Sequence, residues 1–541
     1  MLELVQLSSM ENIMPKVKQE FTPIRWIGGL KGERLSYQIA FRTDSTGYYK
    51  IEVESDIKEH LKVYKIGNVP VTRAFFNYKA KDDDNYISHD GGMYPDILYP
   101  LTTDTIRGQY HYQGIWIETD ANVAPGKYKV KFSLYDDNDF ASTVMNIEVL
   151  NTALPPQKLL YQVSLHSDCI STWYKKEVFS QEYWQLLDKY LKVSADYGSN
   201  AINVPLFTPP LDTKVGGERP TVQLVEVYKE GDKYTFDFAN AQKYIDMCKK
   251  NGMTHFVITP FFTQWGAEFT PKIMIHENGE IKKCFGWSVK STDESYLNLL
   301  RQFFPEMNKF IEKNSIENNT IVMISDEPFD DETIKRYAFL KEFMTPYVKN
   351  YKIMDAFTNY KHFKAAGADV PVIPTTCIND FMGKVSDIWV YYCCAQDYKV
   401  SNRFITMPLY RNRSFGYQLY KYNVSIFFHW AINFWYAQLA VRELNPFYET
   451  DSDGGFPAGD AFTVYPGEDG PIISMRTIAF SEALQDLRAL QLLEEKIGRD
   501  ETIKLIENIT GEVTFENCAK NVQTMLSLRE VIFWKLKECK Q

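Results

Sequence analysis

Over the first 150 residues hydrophobic and polar positions alternate with a period of two and break at turn residues. The turn Ala124-Pro125-Gly126 leads into Tyr128, Val130, Phe132 and Leu134 on one strand face, and Asp136, Asp137, Asn138 and Asp139 close that strand. The next strand begins within 143–150, and similar short runs lie at 36–42, 48–53 and 114–118. Short strands with turn punctuation and little helical periodicity predict an all-β sandwich over residues 1–150. Residues 151–156 read as a linker, because Pro155 and Pro156 resist both helix and central strand.

After the linker short β-rich runs alternate with helical periods. The runs are 160–165, 201–205, 254–259, 320–325, 351–355, 370–374, 388–392 and 425–430. Between them lie helical segments such as 181–194, 240–250 and 295–313, the last with Leu297, Leu300, Phe304, Met307 and Ile311 on one stripe. This pattern predicts an α/β, TIM-like (β/α)8 barrel rather than an open sheet, which periodicity alone also permits. From Ile478 the tail is helical, with Leu484, Leu487, Leu490 and Leu493 in phase, and is expected outside the barrel within a catalytic domain spanning 157–541.

Composition narrows the function classes. Sixty Lys and Arg against seventy Asp and Glu give a net charge of −10, and no long basic block occurs, which argues against a nucleic-acid or anionic-membrane surface. Thirty-five Tyr, 35 Phe and 10 Trp exclude a disordered chain. The eight cysteines are scattered without a C-x-x-C pair and read as reduced thiols. No basic start followed by an apolar region opens the chain, and the apolar stretch 425–441 is interrupted by His429, Asn433 and Gln438. A cytoplasmic protein without membrane insertion is expected, although a secreted chain trimmed of its signal would read the same. Oligomeric state is not legible.

In such barrels reactive groups gather where strands end, on the C-terminal face. Strand one ends in His166 and Asp168; strand two gives Asn203 and leads to Asp212; strand three leads to Gln264 and Trp265. Strand four ends in Ser325-Asp326-Glu327-Pro328 and strand five in Asp355. Strand seven gives Tyr391 and Tyr392, and strand eight gives Trp430, Asn433 and Trp435. Aromatic faces stack on the C–H faces of sugars while amides and carboxylates bind hydroxyls, so a glycan is the expected ligand. No glycine-rich phosphate loop occurs, and His166 with Asp168 falls short of the three ligands a catalytic zinc takes; no metal or cofactor is expected. Among several Asp-Glu pairs, only Asp326-Glu327 follows an apolar strand and precedes a proline. Adjacent like charges raise each other's proton affinity, which suits general-acid chemistry.

The stretches carrying Asp168 and Cys169, Thr208 through Asp212, Thr263 through Gly266, Ser325 through Pro328, Trp389 through Cys394, Gly459-Asp460, Tyr465 through Gly467 and Ser474 through Arg476 occur in one order along the barrel. In this the chain resembles glycoside hydrolase family 123, the exo-acting β-N-acetylgalactosaminidases. The resemblance implies catalysis by Asp326 and Glu327, and a retaining mechanism in which the substrate's 2-acetamido group is the nucleophile. On that basis Asp326 would orient the acetamido group, Glu327 would act as acid and base, Tyr391 or Tyr392 would hold the acetamido oxygen, and Trp430 or Trp435 would floor the sugar. Two alternatives stay open. One is a double-displacement glycosidase of other sugars with Asp355 or Asp212 as nucleophile; the other is a catalytically silent glycan-binding protein.

Overall fold

In a computed structural model, which describes residues 2–539, the amino-terminal part is two stacked five-stranded sheets. One runs in the order Leu2–Ser8, Ser36–Thr43, Gln113–Thr119, Leu61–Val71, Gly92–Pro100; the other Trp26–Lys31, Phe140–Ala153, Gly126–Tyr135, Tyr48–Glu54, Thr105–Arg107. Tyr37, Ile39, Phe41, Ile115 and Ile117 from the first sheet meet Val130, Phe132, Leu134, Met145 and Ile147 from the second, all buried. These residues sit at alternate positions because successive strand side chains point to opposite faces. The last strand continues to Ala153, so the predicted linker begins within it.

Eight parallel strands then close a barrel: Leu160–Val163, Ala201–Val204, His255–Ile258, Thr320–Met323, Lys352–Ala356, Val370–Pro374, Trp389–Tyr391 and Ile426–His429. Each lies within one of the runs read from the sequence, except that Lys352–Ala356 runs one residue past its run. Val257, Ile321, Met354, Val372, Trp389, Ile426 and Phe428 fill the lumen as a packed core. An additional four-stranded sheet, built from Glu226–Glu230, Lys233–Asp237, Ile273–Glu277 and Glu280–Phe285, is inserted after the second and third barrel strands. The periodicity had not singled it out. The long helix Met475–Ile497 packs outside the barrel against Leu409–Arg413 and Phe415–Lys421.

The sandwich is tied to this second unit by buried ion pairs. Arg476 donates from Nε and from its Nη2 to the two oxygens of Asp96, each at 2.8 Å, and Arg411 pairs with Asp83 at 2.8 Å. All four side chains are almost completely buried. Among the described residues no helix is long and apolar enough to cross a membrane.

Candidate active site

A cavity of about 210 Å³ opens at the C-terminal ends of the barrel strands. Asp326 and Glu327 reach it from beyond Thr320–Met323, where Ile321, Val322, Met323 and Ile324 form an unbroken apolar run of the kind that both-face burial in a parallel sheet demands. The chain is held sharply after that strand. Ser325 donates from its backbone N–H to Asp355 Oδ2 at 3.1 Å and from Oγ to the Thr263 carbonyl at 2.7 Å. Asp330 then starts the helix Asp331–Val348 with a capping box, accepting from Thr333 N at 2.8 Å while Thr333 Oγ1 accepts from Asp330 N at 3.0 Å. Glu327, Trp265 and Asp212 all adopt left-handed backbone conformations, with φ of 42°, 57° and 49°. Such conformations cost side-chain-bearing residues energy and gather at functional sites. The Trp265 N–H donates to the Asp326 carbonyl at 2.8 Å, tying two of the strained segments together.

Burial, reinforced by the carboxylates of Glu327, Asp355 and Asp212, holds the Asp326 carboxyl well above the usual carboxylate range. Burial also pushes Asp212 up to about 6 and Asp355 up to about 7. The Tyr391 hydroxyl donates to Glu327 Oε1 at 2.6 Å. Among the described residues the other Glu327 oxygen has no hydrogen-bond partner, and the raised Asp326 carboxyl can hold a proton in the cavity wall.

His166, Asp168, Asn203, Asp212, Trp265, Tyr391 and Trp430 line the same cavity as the carboxyl pair. Gln264, Asp355, Tyr392, Asn433 and Trp435 do not. Strand parity explains two of these. In Lys352–Ala356, Met354 and Ala356 face the lumen, so Asp355 points outward, where it braces Ser325. Tyr391 faces inward, so Tyr392 is buried on the far side among Phe415, Phe427 and His429, with Arg403 5.4 Å from its ring. Asn433 grips the His166 backbone at both its N–H and its carbonyl, at 2.8 and 3.0 Å, much as Asn203 grips Leu165 at 2.8 and 3.2 Å. Trp435 packs edge-on to Trp173 and Tyr190, and Gln264 donates to the Thr213 carbonyl at 3.2 Å.

Two residues that matter here were not named from sequence as site residues. Arg219 forms a two-pronged pair with Asp168, Nε to Oδ2 at 2.8 Å and its Nη2 to Oδ1 at 2.7 Å, and its guanidinium lies near the rings of Phe434 and Tyr436. Burial alone would raise Asp168, but Arg219 outweighs it and holds this carboxyl below its ordinary value. Arg219 also approaches His166 Nδ1 at 3.2 Å, while His166 Nε2 lies 3.0 Å from the Trp430 carbonyl. Both ring nitrogens are therefore engaged, and burial pushes this histidine down to about 4. Arg219 stands in an aperiodic loop with no motif around it, so no sequence signal marked it. The second residue, Asp460, accepts from Trp430 Nε1 at 3.0 Å and faces His429 Nε2 at 3.7 Å, with both side chains wholly buried. Burial pushes Asp460 up to about 7. Among the described residues no group of three or more His, Cys, Asp or Glu side chains is arranged to hold a metal ion.

Comparison with known proteins gives these features a context. No curated protein sequence matches the chain. Among solved structures, a family 123 glycoside hydrolase from Clostridium perfringens, described for glycolipid glycan hydrolysis, aligns over 100% of this chain and 99% of its own, with a TM-score of 0.74 and 16% identity. It shares the fold. Two β-glucuronidases align far more loosely. The FMN-binding enzyme of Facaelibacterium prausnitzii L2-6 does so at a TM-score of 0.29 and 10% identity over 86% of this chain and 60% of its own. β-Glucuronidase 2 of Bacteroides uniformis does so at 0.30 and 10% over 82% and 48%. The model of the glycoside hydrolase 123 catalytic domain matches residues 165–493, more than half the chain and every strand-end segment from His166 to Trp435. The protein therefore belongs to glycoside hydrolase family 123 and is a glycoside hydrolase.

Proposed function

We propose that the protein is a retaining exo-β-N-acetylgalactosaminidase that removes terminal β-linked N-acetylgalactosamine from glycans or glycolipids by substrate-assisted catalysis. The observation that carries this reading is the adjacent Asp326–Glu327 pair at the end of the fourth barrel strand, on one floor of a sugar-sized cavity. A double-displacement enzyme needs two carboxyl groups about 5 Å apart across the sugar. Asp355, one candidate nucleophile, faces out of the lumen and serves Ser325. Asp212 does line the cavity, and it keeps the alternative testable.

In the proposed cycle the acetamido oxygen attacks the anomeric carbon and forms an oxazolinium ion. Asp326 accepts the acetamido N–H and offsets the positive charge growing on that nitrogen. In the empty cavity its environment favours the protonated form. An N–H donor and a developing cation both favour the ionised form, so substrate binding transfers the stored proton to Glu327. Tyr391 occupies Glu327 Oε1, leaving Oε2 to protonate the departing oxygen and then to deprotonate the attacking water. Trp430, fixed by Asp460, supplies the stacking floor. Of the two tyrosines only Tyr391 lines the cavity, which supports Tyr391 over Tyr392 as the one beside the acetamido group; its single hydroxyl proton is committed to Glu327 Oε1.

The test compares aryl β-N-acetylgalactosaminide with its glucosamine epimer and with the galactoside lacking the N-acetyl group. Hydrolysis of the first, none of the last, and inhibition by a thiazoline mimic of the intermediate are expected. Turnover of the galactoside would favour double displacement through Asp212, and inertness toward all three would favour a glycan-binding protein.

A further inference from the structure

We propose that Cys393 and Cys394 form a thiol–disulfide site in the wall of the substrate cavity, which a low-molecular-weight disulfide closes and whose closure restrains hydrolysis. Neighbours in a strand point to opposite faces, yet both cysteines line the cavity, because the chain leaves its strand at Tyr391 and turns. Both are free thiols and partly exposed. The turn is pinned at the Cys393 backbone. The Cys393 N–H donates to Gln396 Oε1 at 2.9 Å, and the Cys393 carbonyl accepts from Gln396 N at 3.1 Å and from the buried Asn402 Nδ2 at 3.0 Å. Two thiols that the mechanism does not use are thus held side by side next to the carboxyl pair.

The exchange is balanced. A thiolate of the pair attacks the external disulfide and releases one small thiol; the second cysteine then displaces the other. One S–S bond forms in the protein, one breaks in the reagent, and the two thiol protons leave with two small thiols. The hydrogen bond to the neighbouring sulfur, burial and the carboxylates of Asp460 and Glu327 disfavour a thiolate at Cys393, and closure needs both sulfurs whichever attacks first. Adjacent Cα atoms lie about 3.8 Å apart, closer than the 4.4–6.8 Å typical of disulfides, so the closed ring is strained and easily reduced. Such a bond reports an oxidising environment and reopens when that environment passes. Closing it twists the backbone two residues after Tyr391, whose hydroxyl holds Glu327.

The full chain is equilibrated in mixtures of oxidised and reduced glutathione, then quenched and digested, and the tryptic peptide 385–399 is weighed while aryl N-acetylgalactosaminide hydrolysis is followed in parallel. The peptide is expected to lose two hydrogens, kcat/KM to fall on the order of tenfold to a hundredfold as Glu327 is misplaced, and dithiothreitol to restore both. The rate of a Cys394→Ser variant should no longer respond to the redox mixture. The proposal is overturned if the wild-type peptide stays a dithiol while the exposed Cys539 is modified, if the pair closes without loss of rate, or if Cys394→Ser responds like the wild type. The rate arm rests on the activity proposed above and the mass arm does not. An enzyme inert when fully reduced refutes that activity and the restraint with it, while the peptide mass still decides closure.

Discussion

Replacing Glu327 by Gln removes the proton donor, so its cost should depend on the leaving group. An aryl group that departs unaided should lose less rate than a natural glycan, whose loss should be ~10²–10⁴-fold. Azide needs no deprotonation and should partly rescue Glu327→Gln on the aryl substrate. Asp326→Asn presents an N–H to the acetamido N–H, should impair both substrates by a similar factor, and should not respond to azide. Rescue of the Asp326 variant alone would mean the two roles are exchanged. Asp460 offers a different test. Asp460→Ala frees the Trp430 indole and should raise KM about tenfold, the worth of one buried hydrogen bond, with little change in kcat. Asp460→Asn can still accept from Trp430 and donate to His429 Nε2, so its KM should stay near that of the wild type. Equal losses in both variants would mean that Asp460 does not act through Trp430.

Between elements, the closest constraint is where Phe415–Lys421 crosses Met475–Ile497. A methyl group at Gly416 would run into the Ala483 carbonyl, which is backbone and cannot rotate away. Alanine in a helix interior is normally favoured over glycine by roughly 0.5–1 kcal/mol, but forcing two helices apart typically costs about 1–3 kcal/mol. Gly416→Ala should therefore destabilise the protein, and an unchanged urea midpoint would show that the helices yield. This is also the level at which the sequence was most informative. Five of the ten sandwich strands and all eight barrel strands were legible, because burying one face or two leaves a period of two or a continuous apolar run. The inserted sheet was not, since its four strands are short and bury only isolated positions such as Val227, Tyr234, Ile273, Ile275 and Phe285. Strand ends located the candidate site, but nothing in the sequence told which of Tyr391 and Tyr392 faces inward, because a one-residue change of register exchanges the faces. Trp435 and Asn433 were read as lining residues because the chain after the eighth strand has no period to reveal its course.

For the molecule as a whole, buried carboxyls predict an unusual pH dependence. Burial raises Glu118, Asp355 and Asp460 to about 7, whereas carboxyls in an unfolded chain titrate near 4. Each therefore contributes stability that is fully present below about 4 and is lost as pH rises through 7. His166 and His429, held below their ordinary value by burial, work in the opposite direction, but only below about 6.5. Raising the pH from 6.5 to 8 should lower unfolding free energy by on the order of 1–3 kcal/mol. Denaturant unfolding at the two pH values checks this, and a flat or rising stability would refute it. The ion pairs between sandwich and barrel carry a separate implication for how such a chain is inherited. The family model begins at residue 165, yet Arg476 and Arg411 within its span have their counter-charges, Asp96 and Asp83, in the part that precedes it. Cutting there leaves two cations buried without partners, at a cost of about 3–5 kcal/mol for each broken pair. A hybrid that joined this barrel to a relative's sandwich would keep its stability only if acceptors were retained opposite both arginines. Divergence on the two sides of that boundary is therefore coupled, and the two halves are expected to travel through evolution as a single unit.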